Sequence, residues 1–179
     1  MLIKALLVVV GLGAAFCGFV ATRPSEFRVT RSAVIAAPAE RTFEMVNDFK
    51  NWDAWSPWAK LDPNMKKTLD GAQSGAGAIY TWAGNDDVGE GRMTILESKP
   101  DSQIQIQLEF LKPWTATNNT TFEFTPEGGG TKVVWTMDGV NDFMGKAFSV
   151  FMNMDKMVGG DFEKGLAQMK AAAEARKAS

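Results

Sequence analysis

The chain has 179 residues, 45% hydrophobic and 22% charged, with a net charge of −2; that suits one domain with a sizeable core and supplies no basic field to attract nucleic acid. It contains no histidine, which removes the commonest general base and transition-metal ligand. The single cysteine, Cys17, lies in an apolar run, so neither an internal disulfide nor a cysteine-rich zinc site can form.

That run, Ala5 to Ala21, carries no charge between Lys4 and Arg23. As a helix it is about 26 Å long, the short end of a bilayer span, and Leu2 and Ile3 lengthen it if Lys4 snorkels. A cleaved signal peptide and a buried core helix are the alternatives. Cleavage calls for small residues at −3 and −1, and near the end of the run those slots hold Phe19 and Ala21, or Val20 and Thr22. Gly13 and Ala15 are a poorer earlier pair, and Phe16 before Cys17 disfavours a lipoprotein cut. The expectation is a membrane protein with a single-pass N-terminal anchor (residues 1–22, meeting the bilayer through 2–21) and a globular domain over residues 23–176. Lys4 on one flank and Arg23, Arg28 and Arg31 on the other leave the orientation open.

From Phe27 the pattern changes. The β-branched stretch FRVTRSAVI predicts a strand over 27–35. Pro38 and Glu40 then suit a helix N-terminus, and Ala39, Phe43, Val46 and Phe49 follow at helical spacing. A second short helix is expected over 49–54, stopped by Ser56-Pro57. Around it Trp52, Trp55 and Trp58 recur every three residues. They read either as a structural plug, with indole N–H groups bonded to nearby carbonyls, or as rigid walls touching a ligand or membrane.

Six strand-like segments follow, over 65–71, 78–84, 91–98, 102–110, 117–125 and 131–139, divided by Gly-, Pro- and Asn-rich turns. SQIQIQLEF alternates strictly, with Ile104, Ile106, Leu108 and Phe110 on one face and Gln103, Gln105, Gln107 and Glu109 on the other. After Asn141 the period becomes helical: Phe151, Met154, Val158, Phe162, Leu166, Met169 and Ala173 form one stripe. Gly159-Gly160 interrupts it at a cost of about 1 kcal/mol each, which points to a kink or a close helix–sheet contact. The order predicts an α+β fold: a curved antiparallel seven-stranded sheet wrapped around a long C-terminal helix, with two short helices after the first strand.

Several stretches in that order carry a resemblance: VIAAPAERTF before the first helix, NWDAWSPW after it, G-x-G-R-M-T-I at 89–95, L-x-F-L-K-P at 108–113 and GGTKVVW at 129–135. With the element order they make residues 27–173 similar to the polyketide cyclase/START-like (SRPBCC) superfamily, the helix-grip fold. The chain is especially similar to a bacterial subgroup with an N-terminal hydrophobic segment and no assigned reaction. The resemblance implies a deep cavity between sheet and long helix, used for lipids, polyketides or other apolar ligands. Some members are aromatases or cyclases, and some activate a chaperone ATPase. No common motif carries their functional residues onto this chain.

The inward strand faces supply Tyr80, Trp82, Met93, Leu108, Phe110, Phe122, Trp135 and Met137; the helices add Trp55, Phe148 and Phe162. We take these as the candidate ligand-binding residues, an aromatic and methionine mix that suits an adaptable apolar pocket. Close packing without a cavity is the alternative. Catalytic chemistry is thin. Asp48, Asp53, Glu109 and Asp138 form no acid–base pair by spacing. Glu90 and Arg92 share a strand face and can pair, at the surface or at the cavity wall. GAQSGAG (71–77) lacks the Lys-Ser/Thr of a phosphate loop and reads as a turn. No metal or cofactor is expected, and no protein partner is identified. The expected function is a membrane-anchored binding domain for an apolar or amphipathic small molecule, lipid-like or aromatic. The alternatives are a cyclase/dehydratase-type enzyme using Tyr80, Glu90 or Arg92, or a protein-interaction module like the chaperone activators.

Overall fold

The structure, a computed structural model, describes residues 2–175; the domain boundary expected at residue 176 lies outside them. Helix α1 (Leu2–Ala21) leads into β1 (Glu26–Ile35), α2 (Ala39–Asn47) and a short 3-10 helix, Phe49–Ala54. A meander follows: β2 (Lys66–Gly71), β3 (Ala78–Ala83), β4 (Glu90–Lys99), β5 (Gln103–Lys112), β6 (Ala116–Glu127) and β7 (Gly130–Val140). The chain ends in α3 (Phe143–Phe151) and α4 (Met154–Ala175). The seven strands form one antiparallel sheet in the order β1-β7-β6-β5-β4-β3-β2, so β1 closes the meander beside its last strand. The architecture expected from sequence, a curved sheet gripping a C-terminal helix, is the one observed.

One correction concerns that helix. It is two helices, not one, because the chain becomes extended at Met152, where φ is −123° and ψ is 128°. Asn153 restarts the helix as its cap: its Oδ1 accepts from the Lys156 N–H at 3.0 Å, satisfying one of the donors a helix start leaves unpaired. Asp142 caps α3 likewise through the Gly145 N–H at 2.7 Å. The Gly159-Gly160 pair produces no break. Gly159 lies where α4 crosses β1, and a Cβ there would come within 2.1 Å of the Arg31 guanidinium. Its bareness lets Arg31 sit between two α4 carboxylates, donating from Nε to Glu163 at 2.7 Å and from Nη1 to Asp155 at 3.0 Å. Gly160 faces open space, and nothing in the structure explains it.

The core lies where α2, the 3-10 helix and α4 meet the sheet. Trp135 of β7 is at its centre. The Phe162 ring stacks on it at 3.9 Å and 8°, Phe122 stacks beside it at 4.8 Å, and Trp55 meets it edge-on at 5.6 Å. All four side chains are buried. Gly165 lets α4 approach closely, since a Cβ there would stand 2.9 Å from the Trp135 ring. Phe162→Ala should therefore cost about 3–5 kcal/mol in denaturant unfolding, whereas Phe148→Ala, on the exposed α3, should change stability by no more than about 0.5 kcal/mol. Equal losses would mean that α4 is not the sheet's cover.

Candidate functional site

The concave face is built of rows that run across the strands, and burial falls from one row to the next. The first row sets Ile104, Phe122 and Trp135 side by side. The second, Ile95, Ile106, Thr120, Met137 and Val29, is fully buried. In the third, Tyr80, Met93 and Leu108 are half-buried beside a buried Asn118, with Gly139 and Phe27 beyond. The fourth holds Trp82, Gly91 and Phe110. Helix α4 packs along β1 and against α2 and the 3-10 helix, so the dry end of the face is the end it covers. The other end, toward the β3–β4 and β5–β6 turns, carries large apolar groups that are only half-buried, and we call this stretch of the concave face the trough.

Local chemistry shapes that trough. The Trp82 indole donates to the Val88 carbonyl at 2.9 Å, and its ring lies across Gly91, where any Cβ would come within 2.3 Å of it. Glycine is what allows an indole to lie flat against β4. Phe110 meets the ring edge-on, at 6.1 Å and 88°. Tyr80 stands 5.7 Å from Phe49 and 6.1 Å from Trp82. Burial first, and the negative charge of Asp53 second, push its phenol up to about 12 from the ordinary 10.0. Asn118 and Thr120 bring amide and hydroxyl groups to an otherwise apolar wall, and among the described residues neither side chain makes a hydrogen bond. Neither was placed on the inward face from sequence, although both share the parity of Phe122 on the same strand.

The eleven side chains singled out from sequence thus fall into three groups. Trp55, Phe122, Trp135, Met137 and Phe162 are interior packing. Tyr80, Trp82, Met93, Leu108 and Phe110 line the trough. Phe148 is on neither; it is exposed on α3, 6.3 Å from Trp114 of the β5–β6 turn, because the break at Met152 carries α3 away from the sheet. The tryptophan triplet acts chiefly as a plug. The Trp52 and Trp55 indoles donate to the Val46 and Met45 carbonyls, at 3.0 and 2.7 Å, capping acceptors that the last turn of α2 leaves unpaired. Trp58 is only partly buried and stands edge-on to Trp135 at 6.0 Å.

The Glu90–Arg92 pair does not form. Cross-strand neighbours compete better than residues two apart: Glu90 binds Lys112 at 2.6 Å and Arg92 binds Glu109 at 2.7 Å. Both pairs lie on the face opposite Tyr80, so the three groups considered for chemistry are not brought together. Trp135 Nε1 is the one side-chain polar atom, among the described residues, that is both wholly shut off from solvent and without a partner. A separate open cleft of about 440 Å³ lies between Arg23, Phe27, Asn141, Phe151 and Met154, and it touches the concave face only at Phe27.

Comparison with known proteins adds the following. A family model described as polyketide cyclase/dehydrase and lipid transport matches residues 26–174. The chain is 27% identical over 163 residues to the actinorhodin polyketide synthase bifunctional cyclase/dehydratase of Streptomyces coelicolor, covering 87% of this chain and 47% of that protein. It therefore spans about half the length of that relative. Among solved structures, the di-domain ARO/CYC StfQ from the steffimycin biosynthetic pathway superposes with a TM-score of 0.63 at 12% identity, over 85% of this chain and 52% of that one. The Aha1 dimer from Colwellia psychrerythraea superposes with a TM-score of 0.61 at 14% identity, over 85% and 99%. At such identities the structural likeness speaks for the fold alone.

Tyr80 is the chain's only tyrosine, so its ionisation can be followed by phenolate absorbance without interference. The midpoint should lie near 12 rather than 10.0. Because the folded-state value is raised, the neutral phenol's contribution to stability is whole below the unfolded value and is lost as pH climbs toward the folded one. A midpoint at the ordinary value would place the phenol in water and open the trough wider than described.

Proposed function

Because the chain belongs to the polyketide cyclase/dehydrase and lipid transport family, we propose that it is a membrane-anchored binding domain for an apolar or amphipathic small molecule, lipid-like or aromatic. The observation that carries this reading is the half-buried wall of Tyr80, Trp82, Met93, Leu108 and Phe110, left uncovered beside a densely packed core. A soluble domain gains by burying such residues; a row of them held open matches the lining of a ligand site. Asn118 and Thr120 at the inner edge would take the polar end of an amphipathic molecule. Trp55, Phe122, Trp135, Met137 and Phe162 would support the site from behind rather than touch the ligand.

The anchor is α1. Its 20 residues give about 30 Å of helix, the thickness of a bilayer's hydrocarbon core. Only Val20 among them is buried. Its length and composition suit a membrane span or a signal sequence, and its exposure sets it apart from a buried core helix.

Two experiments test the parts separately. With a photoactivatable fatty acid, the full chain in vesicles should form adducts on Tyr80, Trp82, Met93, Leu108 or Phe110. Leu108→Trp should abolish those adducts while costing less than the roughly 1–3 kcal/mol expected for overpacking a dense core. Adducts confined to α1, or a strongly destabilised variant, would leave the trough as ordinary packing. For the anchor, the native protein should stay with membranes through carbonate extraction. A soluble mature form beginning near Thr22 would make α1 a cleaved signal instead.

A further inference from the structure

Helix α3 buries none of its nine residues, although FMGKAFSVF is strongly apolar. Met144 and Phe151 are 72% and 76% exposed, and Phe143 and Phe148 are exposed beside them. Trp114 of the β5–β6 turn, 69% exposed, joins the same surface through Phe148, with Leu111 and Val140 nearby in the chain's fold at that end of the sheet. An apolar patch of this kind on a domain that otherwise packs well marks an interaction surface.

Its position identifies the partner. α3 packs against α1, and the contact falls within the last turns of α1: the Phe16 and Phe151 rings are 5.8 Å apart. Phe16 precedes Arg23 by seven residues, about 10 Å along a helix. Arg23, at the foot of the apolar run, stands with its guanidinium 5.6 Å over the Phe19 ring, as a cation does where a span meets water. The point where α3 touches α1 therefore lies on the lipid side of Arg23.

We propose that α3 and Trp114 form a membrane-embedded foot, lying in the interfacial layer of one leaflet beside the end of α1. The inference rests on α1 spanning the bilayer. Composition agrees: the helix has one charge, Lys146, whose long stem can reach the headgroups, and its aromatic residues with Trp114 suit the boundary between headgroups and acyl chains. Asp86 and Asp87 in the β3–β4 turn, at the same end of the sheet, offset the charges of Arg23 and Lys146, so the foot's affinity is chiefly apolar. The half-buried row of Trp82 and Phe110 lies at that same end. A ligand would enter from the leaflet.

The test uses the full chain in phosphatidylcholine vesicles, with Cys17→Ala removing the only native thiol. An environment-sensitive fluorophore is attached at Met144→Cys, and in a second protein at Glu127→Cys, at the opposite end of the sheet. Flotation with the vesicles reads the anchor independently. The expected result is that both proteins float and that only the Met144 label is blue-shifted, quenched by lipid carrying a nitroxide near the headgroup, and shielded from iodide. If both float and the Met144 label is as open to iodide as the Glu127 label, the foot is wrong and the anchor stands. Shielding from iodide without nitroxide quenching assigns the surface to another protein or a second copy, and also overturns the proposal. Failure to float overturns anchor and foot together.

Discussion

The stack of Phe162 on Trp135 organises the rest of the molecule. A single indole in the middle of β7 receives α4 on its face, Phe122 at its side and Trp55 at its edge. Helix, sheet and the 3-10 segment are thus joined at one residue. Aromatic contacts of this kind contribute about 0.5–1.5 kcal/mol each beyond the area they bury, and with the partly buried Trp58 four converge here. Arg31, held by Asp155 and Glu163, and Glu174, bonded to the Ala36 N–H, fix α4 along β1 on either side of the stack. The Arg31 hydrogen bond holds the Asp155 carboxyl below its usual range, and the Ala36 amide does the same for Glu174. Both contributions are present at neutral pH and fade as pH falls through the depressed values.

Pinning α4 there has a consequence for the remainder of the sheet. One helix covers one stripe, and α4 is committed to the β1–β7 side. The far rows of the concave face are left to short helices and turns, which reach Ile95 and Ile106 but not Trp82 and Phe110. Under the proposed function, stability and binding would therefore be spatially divided. The dry rows hold the fully buried side chains, while the trough residues pack against them and stay half-buried. Gly91 shapes the trough rather than the dry rows. Its lack of a side chain lets the Trp82 ring lie flat against β4.

What could be read from sequence follows the same division. Strand faces were legible because period-two alternation is local: Ile104, Ile106, Leu108 and Phe110 declare their side without reference to any neighbour. The depth of each residue along the strand was not legible. Phe122 and Phe110 look alike in sequence, and only the register of the sheet and the placement of α4 make one interior and the other trough. Register also decided the charges, since Glu109 stands opposite Arg92 while Glu90 stands opposite Lys112. The break before α4 had a signal, Asn153 followed by Asp155, which suits a helix start. It was obscured because Phe151 falls on the same helical stripe as Met154 and Val158, and no proline or glycine marks the gap.

Phe151 illustrates why that stripe misleads. A hydrophobic period records that a face is apolar, not what covers it. In α4 the apolar face meets the sheet; in α3 it meets the end of α1 and, through Phe148, Trp114 of the β5–β6 turn, and stays exposed otherwise. The two readings diverge only once α1 is placed, and α1 is joined to β1 by just Thr22, Arg23, Pro24 and Ser25. So short a link, with a proline in it, leaves the domain little freedom to turn its α3 side away from whatever surrounds α1. If that surrounding is lipid, anchor, foot and trough mouth are held on one side of the domain by the chain's connectivity, and the break at Met152 is what frees α3 to lie there.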